Sequence, residues 1–233
     1  IAKAALELAV KRPQSLAGKI AIVTAGPTVE PIDSVRFIAN HSSGKQGYAI
    51  AAALAARGAS VTLISGPVTL PAPAGVKYVS VQTAIQMQAA VNLALPADMA
   101  ICAAAVADWR VAEAHHVKLK KPDHRNAAGM QLSLIENPDI LASLGQSDNR
   151  PSLLVGFAAE TENVLENATA KRSRKQCDWI IANQVGAAVD PVFGSDQKQI
   201  MLISETTVES WPRMLKTELA DKLVERIAME FLT

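Results

Sequence analysis

A chain of 233 residues, 49% hydrophobic and 19% charged, is long enough for one large domain or two small ones around a real core. A net charge of +1 gives no electrostatic case for nucleic acid or an anionic membrane, and aromatics at 4% are too few for platforms that stack single strands. Two cysteines with no legible secretory signal point to a reducing compartment, expected to be the cytoplasm, and no apolar run nears the roughly 18 residues of a membrane span.

Residues 1–10 carry a short helical pattern, and a linker-like stretch follows to Gly18. Glu7 interrupts the apolar run, which makes a targeting peptide a poor reading; a piece cut from a longer chain is the preferred one. Residues 20–24, IAIVT, predict a buried strand. Gly26 then frees φ and Pro27 removes a donor, so the strand breaks. After a mixed segment, the run NHSSGKQG at 40–47 opens an Ala-rich helix to about Arg57, with Asn40, Ser42 and Ser43 all good N-cap residues. Small residues and free N–H groups at a helix start attract anions, and Lys45 and Arg36 add charge. This is neither a Walker A loop, given Ala39 and Gln46, nor a dinucleotide fingerprint, because Gly26 lacks a partner glycine. An ordinary capped helix after a βα loop fits the same pattern.

Residues 61–65 and 76–81 predict two further strands, and Thr83 caps a core-facing helix to about Leu93. The run MAICAAAVADWR at 99–110 reads as a central strand whose carboxyl end carries Asp108, Trp109 and Arg110. Asp108 and Arg110 either serve a ligand there or simply pair. Residues 111–129 are polar; His115 and His116 lack metal-site spacing, and Lys118, Lys120 and Lys121 are either a solvated face or a cover for an anion. A half-exposed strand is expected at 130–135, then a helix to about Leu144 with Asn137 as cap and Pro138 in the first turn. Strands follow at 153–160 and 178–183, separated by a helix from Thr161 to about Gln176. Lys171 and Lys175 in its last turns suit the helix dipole. A loop at 192–197, a closing hairpin at 199–211 and a final helix with Leu215, Leu219, Leu223, Ile227 and Phe231 on one stripe complete the chain. The expected architecture is α/β: a three-layer, Rossmann-like, mostly parallel sheet with helices on both faces and an antiparallel extension.

Thr24-Ala-Gly-Pro-Thr28, Glu30-Pro31, Asp33, Val35-Arg36 and Asn40-His-Ser-Ser-Gly-Lys45, read together, resemble phosphopantothenoylcysteine synthetase. So do Ala103-Ala-Ala-Val-Ala-Asp108, Lys118-Leu-Lys-Lys121, Asn137-Pro-Asp-Ile140, Gly156-Phe-Ala-Ala-Glu-Thr161 and Ala182-Asn183. The likeness runs from about Gly18 to the C-terminus and is similar to the C-terminal half of bacterial bifunctional coenzyme A biosynthesis proteins. On that resemblance residues 1–17 are a linker or helix from a preceding domain and 18–233 the synthetase domain. FMN belongs to the N-terminal decarboxylase half.

The resemblance implies a ligase. The carboxylate of 4'-phosphopantothenate attacks the α-phosphate of CTP with Mg²⁺, releasing pyrophosphate; L-cysteine then attacks the acyl-cytidylate and releases CMP. It implies catalytic roles for Asn40, Lys118 and Arg36, and substrate binding by Gly26, Asn40, Ser42, Ser43, Gly44 and Lys45. The nucleotide falls to Cys102, Ala103, Ala104, Asp108, Lys118, Pro138, Asp139, Ile140, Leu141, Phe157, Lys171 and Lys175, which overrides the dipole reading of the two late lysines. Metal ligands stay unassigned. A homodimer is implied, with the antiparallel segments a reasonable place for its contact. Two other classes fit less well: a nucleotide-binding module without turnover, against which Asn40 and Lys118 stand together, and a Rossmann oxidoreductase, which lacks its glycines.

Overall fold

A computed structural model describes residues 14–120, 130–185 and 196–232. The expected helix at 1–10, Lys121 of the lysine run and residues 192–195 of the expected loop lie outside them. In chain order the elements begin with β1 (Ile20–Ala25), β2 (Val29–Pro31), β3 (Phe37–Ala39), α1 (Lys45–Ala56), β4 (Ser60–Ser65) and β5 (Val76–Ser80). Next come α2 (Ala84–Leu93), β6 (Met99–Cys102), β7 (Trp109–Val111), β8 (Leu134–Glu136), α3 (Ile140–Gly145) and β9 (Leu153–Glu160). The last are α4 (Val164–Lys175), β10 (Trp179–Gln184), β11 (Gln197–Ile203), β12 (Val208–Leu215) and α5 (Lys216–Glu230).

Eight strands form one sheet in the order β12-β11-β10-β9-β6-β1-β4-β5. The six from β10 to β5 run parallel, and β11 and β12 close the sheet as an antiparallel hairpin. Period-two alternation sorts each strand between two cores. Val23, Leu63, Ile101, Val155 and Ile181 face α1 and α5, while Ile22, Ile64, Ala100, Leu154 and Ile180 face α2, α3 and α4. The expected three layers are therefore present. Thr83 caps α2 as anticipated: its side chain accepts from Gln86 N–H at 3.3 Å and its own N–H donates to Gln86 Oε1 at 3.2 Å. The buried Glu30 adds a second acceptor for this helix start, taking the Ala84 N–H at 2.9 Å.

Several boundaries differ from the sequence pattern, each for a local reason. The central run stops being strand at Cys102; residues 103–108 are a loop, and β7 pairs antiparallel with β8 in a separate ribbon. A second ribbon, β2 with β3, fills the segment whose pattern was mixed, and it packs against β7. Gly44, not Asn40, Ser42 or Ser43, is the N-cap of α1, in the left-handed region at φ 72° and without a side-chain cap. Asp139 rather than Asn137 caps α3, accepting from Ala142 N–H at 3.0 Å, because Asn137 is used in the neighbouring ribbon. Asn163, also left-handed at φ 47°, starts α4 two residues after Thr161. The stripe of α5 is buried at Leu219, Leu223 and Ile227, but Leu215 is the half-exposed N-cap residue.

Candidate active site

The sheet order reverses at β1, with β4 and β5 on one side and β6 onward on the other. Connections leaving the carboxyl ends of β1 and β6 diverge there, which is where open α/β sheets bind ligands. A cleft of about 890 Å³ occupies that position. A second hollow of about 210 Å³ between α4, β10, β11 and β12 adjoins it, sharing Asn183 and Lys198.

Main chain makes the cleft floor. Residues 103–107 are tied to 24–28: Ala103 N–H donates to Thr24 O at 3.2 Å, Ala105 N–H to Gly26 O at 2.9 Å, and Thr28 N–H to Ala105 O at 3.2 Å. The two buried threonines complete this seam, Thr24 Oγ1 accepting from Ala104 N–H at 3.3 Å and Thr28 Oγ1 from Ala107 N–H at 2.9 Å. Asn40 is fastened at the lip, its Nδ2 donating to Val106 O at 2.9 Å. Across from it, Asn137 Nδ2 donates to Ala107 O at 2.8 Å and its N–H to Asp108 O at 2.8 Å. Arg110 pairs with Glu136 O and Asn137 Oδ1, not with Asp108, so the strand-end pairing anticipated as one alternative does not form.

Five lysines line the cleft, Lys45, Lys171, Lys175, Lys198 and Lys216, against the carboxylates of Asp108, Glu136 and Asp139. Lys45 pairs with Asp196 at 2.6 Å, Lys175 with Asp139, and Lys198 donates to Asn183 Oδ1 at 3.3 Å. Burial lowers the Lys171 pKa, while Glu160 and Asp108 act in the opposite sense. Such a cation gains a partner when an anion enters. Burial, with Cys177 nearby, pushes the Cys102 thiol up to about 12, so it is a neutral lining group and not a nucleophile.

Of the residues expected from the sequence, Asn40, Ser42, Ser43, Gly44, Lys45, Cys102, Ala103, Ala104 and Asp108 converge on this cleft, as do Pro138, Asp139, Ile140, Leu141, Phe157, Lys171 and Lys175. Three do not line it. Gly26 lies beneath the floor, Arg36 is occupied by Asp33, and Lys118 is exposed beyond β7. Conversely, His41, Asn137, Asn183, Lys198 and Lys216 line the cleft without a role foreseen for them. Asn137 has the sequence signature of a helix cap, which masks its bond to Ala107 across the cleft. Lys198 and Lys216 carried none, because the hairpin and the turn into α5 bring them in from far along the chain.

This fold and this lysine-lined, backbone-floored cleft define an α/β domain built to hold a large anionic ligand. The description "DNA/pantothenate metabolism flavoprotein C-terminal domain" matches residues 16–231, and the chain belongs to that family. The coenzyme A biosynthesis bifunctional protein CoaBC of Escherichia coli is 45% identical over 212 residues, 90% of this chain and 52% of that protein. The chain thus spans about half the length of such relatives. A crystal structure of the C-terminal domain of CoaBC is 37% identical, with a TM-score of 0.78 over 94% of this chain and 98% of that one. A mutant of Cab2 in complex with phosphopantothenate-cysteine, 18% identical over 92% of this chain and 87% of its own, shares the fold at a TM-score of 0.71.

Proposed function

We propose that the domain is a phosphopantothenate–cysteine ligase that uses CTP. The observation that carries this is the cleft itself: five lysines around a main-chain floor, with Asn40 fastened at its rim. CoaBC relatives and the Cab2 complex support the substrate class. A carboxylate and a triphosphate repel each other, so their reaction needs cations that hold both in line. Lys171 and Lys175 approach from α4, Lys45 from α1, and Lys198 and Lys216 from the closing hairpin and α5. Charge-assisted bonds of this kind contribute about 1.5–3 kcal/mol each.

In the first step the substrate carboxylate displaces pyrophosphate from the α-phosphorus; in the second the cysteine amine displaces CMP from the acyl carbon. An amide nitrogen has two donors. The bond to Val106 O orients Asn40 and leaves its other N–H for the acyl oxygen as negative charge develops there. Cys102, Ala103 and Ala104 offer main chain to the nucleotide, Phe157 and Leu141 an apolar wall. Among the described residues no three His, Cys, Asp or Glu side chains cluster. Mg²⁺ enters this reading as part of the MgCTP substrate, as usual for a metal held mainly by phosphates. Lys118 is the proposed cation on the leaving phosphates.

The wider setting belongs to the same proposal: a homodimer, in the cytoplasm, joined to an N-terminal FMN-dependent decarboxylase. Among the described residues no helix is long and apolar enough to cross a membrane. The test is pyrophosphate release from MgCTP and 4'-phosphopantothenate, with and without L-cysteine and with ATP as control. Cysteine-stimulated turnover with CTP is expected; CTP binding with no turnover under any condition would leave a nucleotide-binding module instead.

A further inference from the structure

Arg36 and Lys118 were both expected at the reacting groups, and neither lines the cleft. They meet elsewhere. The Asp33 side chain is fully buried, at 0% exposure, and accepts from Arg36 Nη2 at 2.6 Å and Nε at 2.9 Å. Its Oδ1 also takes the N–H groups of Val35 and Arg36, both at 2.8 Å. Those bonds close the turn between β2 and β3, and a turn alone would explain them. It would not explain the rest. Asp33 Oδ2 accepts the Leu119 N–H at 3.1 Å, and Arg36 Nη2 donates to the Leu119 carbonyl at 2.6 Å. One ion pair thus grips both polar groups of a residue more than eighty positions away, and that residue sits between the exposed Lys118 and Lys120. A fully buried carboxylate is retained at low cost only when its charge and acceptors are matched; the partly exposed Arg36 supplies the charge, and the Leu119 N–H takes an acceptor position of Asp33.

We propose that Asp33 and Arg36 are positioning residues: they fix the backbone at Leu119 and so set how Lys118 reaches the triphosphate. This rests on the ligase reading above. Arg36 then acts through Lys118 and not on the substrate. The lysine keeps its side-chain freedom, because the clamp holds only main chain.

The test compares Arg36→Gln, Arg36→Lys, Lys118→Gln and the Arg36→Gln/Lys118→Gln double variant in pyrophosphate release, with amide hydrogen exchange followed at Leu119. Misplacement of about 1 Å costs up to roughly 100-fold in rate, so Arg36→Gln is expected to lower kcat 10- to 100-fold with little change in the KM for phosphopantothenate. The double variant is expected to be no slower than Lys118→Gln alone, since the clamp has nothing left to position. Leu119 exchange should quicken in Arg36→Gln, and less in Arg36→Lys, which keeps the charge without the fork. Multiplied losses in the double variant, unchanged protection at Leu119, or normal turnover by Arg36→Gln would each overturn the proposal. An inactive wild-type protein would instead sink the ligase reading, and Leu119 exchange would still report whether the clamp exists. If Arg36→Gln does not fold, Arg36→Lys and its double variant with Lys118→Gln carry the same comparison.

Discussion

Burial holds Lys171 below the usual lysine range, with Glu160 and Asp108 offsetting part of the effect. A lysine depressed in the folded state binds fewer protons there than in the unfolded chain, between the two pKa values. Its destabilising effect is therefore complete below the folded pKa and relieved as pH rises through it. Lys171→Gln is expected to raise the melting temperature of the unliganded protein at neutral pH while weakening CTP binding roughly 10-fold or more, the loss of one charge-assisted bond. Thermal scans with and without CTP separate the two effects. Asp33 works with the opposite sign. Burial alone would raise its pKa, but N–H donation from Val35, Arg36 and Leu119 and the Arg36 guanidinium hold it well below the usual carboxylate range. The stability it contributes is present above the unfolded aspartate pKa and lost as pH falls through the folded one. Acid titration of Asp33→Asn, followed by circular dichroism, should lack that part of the acid limb.

Helix α1 lies unusually close to β1. A Cβ on Gly47 would stand 2.6 Å from Ala25 Cβ, a contact neither backbone can yield without moving. Glycine to alanine inside a helix ordinarily gains up to about 1 kcal/mol. Overpacking costs about 1–3 kcal/mol, so here the sign should reverse. Gly47→Ala is expected to lower the denaturant midpoint and to weaken anion binding, because the shift moves Ser42 to Lys45 with the helix start. A midpoint equal to or above wild type would show that the contact relaxes freely. The same element marks what the sequence made legible. Apolar alternation and the small, polar run at 40–47 revealed the strands and the helix that flank the cleft. They did not reveal the left-handed starts at Gly44 and Asn163, since a residue with a good capping side chain looks the same whether or not the backbone turns to use it. The ribbons were only partly legible: the alternation at 130–135 anticipated β8, which forms at Leu134–Glu136, while β2, β3 and the separate β7 are three-residue strands too short for a period to register.

For the whole molecule, the layered, mostly parallel architecture was readable because strand and helix patterns alternate along the chain. The lysines from β11 and α5 were not, because their proximity to α1 depends on the complete sheet. Exposed apolar side chains gather on the two ribbons, including Phe37 at 59%, Trp109 at 47%, Leu134 at 42% and Ile135 at 40%. They are more apolar outward than the closing hairpin, which makes them the better candidate for the proposed dimer contact. Phe37→Glu with Ile135→Glu should shift sedimentation from dimer toward monomer, raising the dissociation constant roughly 10-fold or more. A wild-type protein that sediments as a monomer would remove the dimer from the proposal.

The seam between residues 24–28 and 103–107 carries a practical warning. Four of the five residues from Ala103 to Ala107 are already alanine, so a scan that truncates side chains one by one would pass over that half of the floor in silence and touch the seam only through Thr24 and Thr28. Its contribution would be credited to the lysines around it. Only changes that add bulk, or that replace a peptide N–H with an ester oxygen, would reveal how much recognition the bare polypeptide provides.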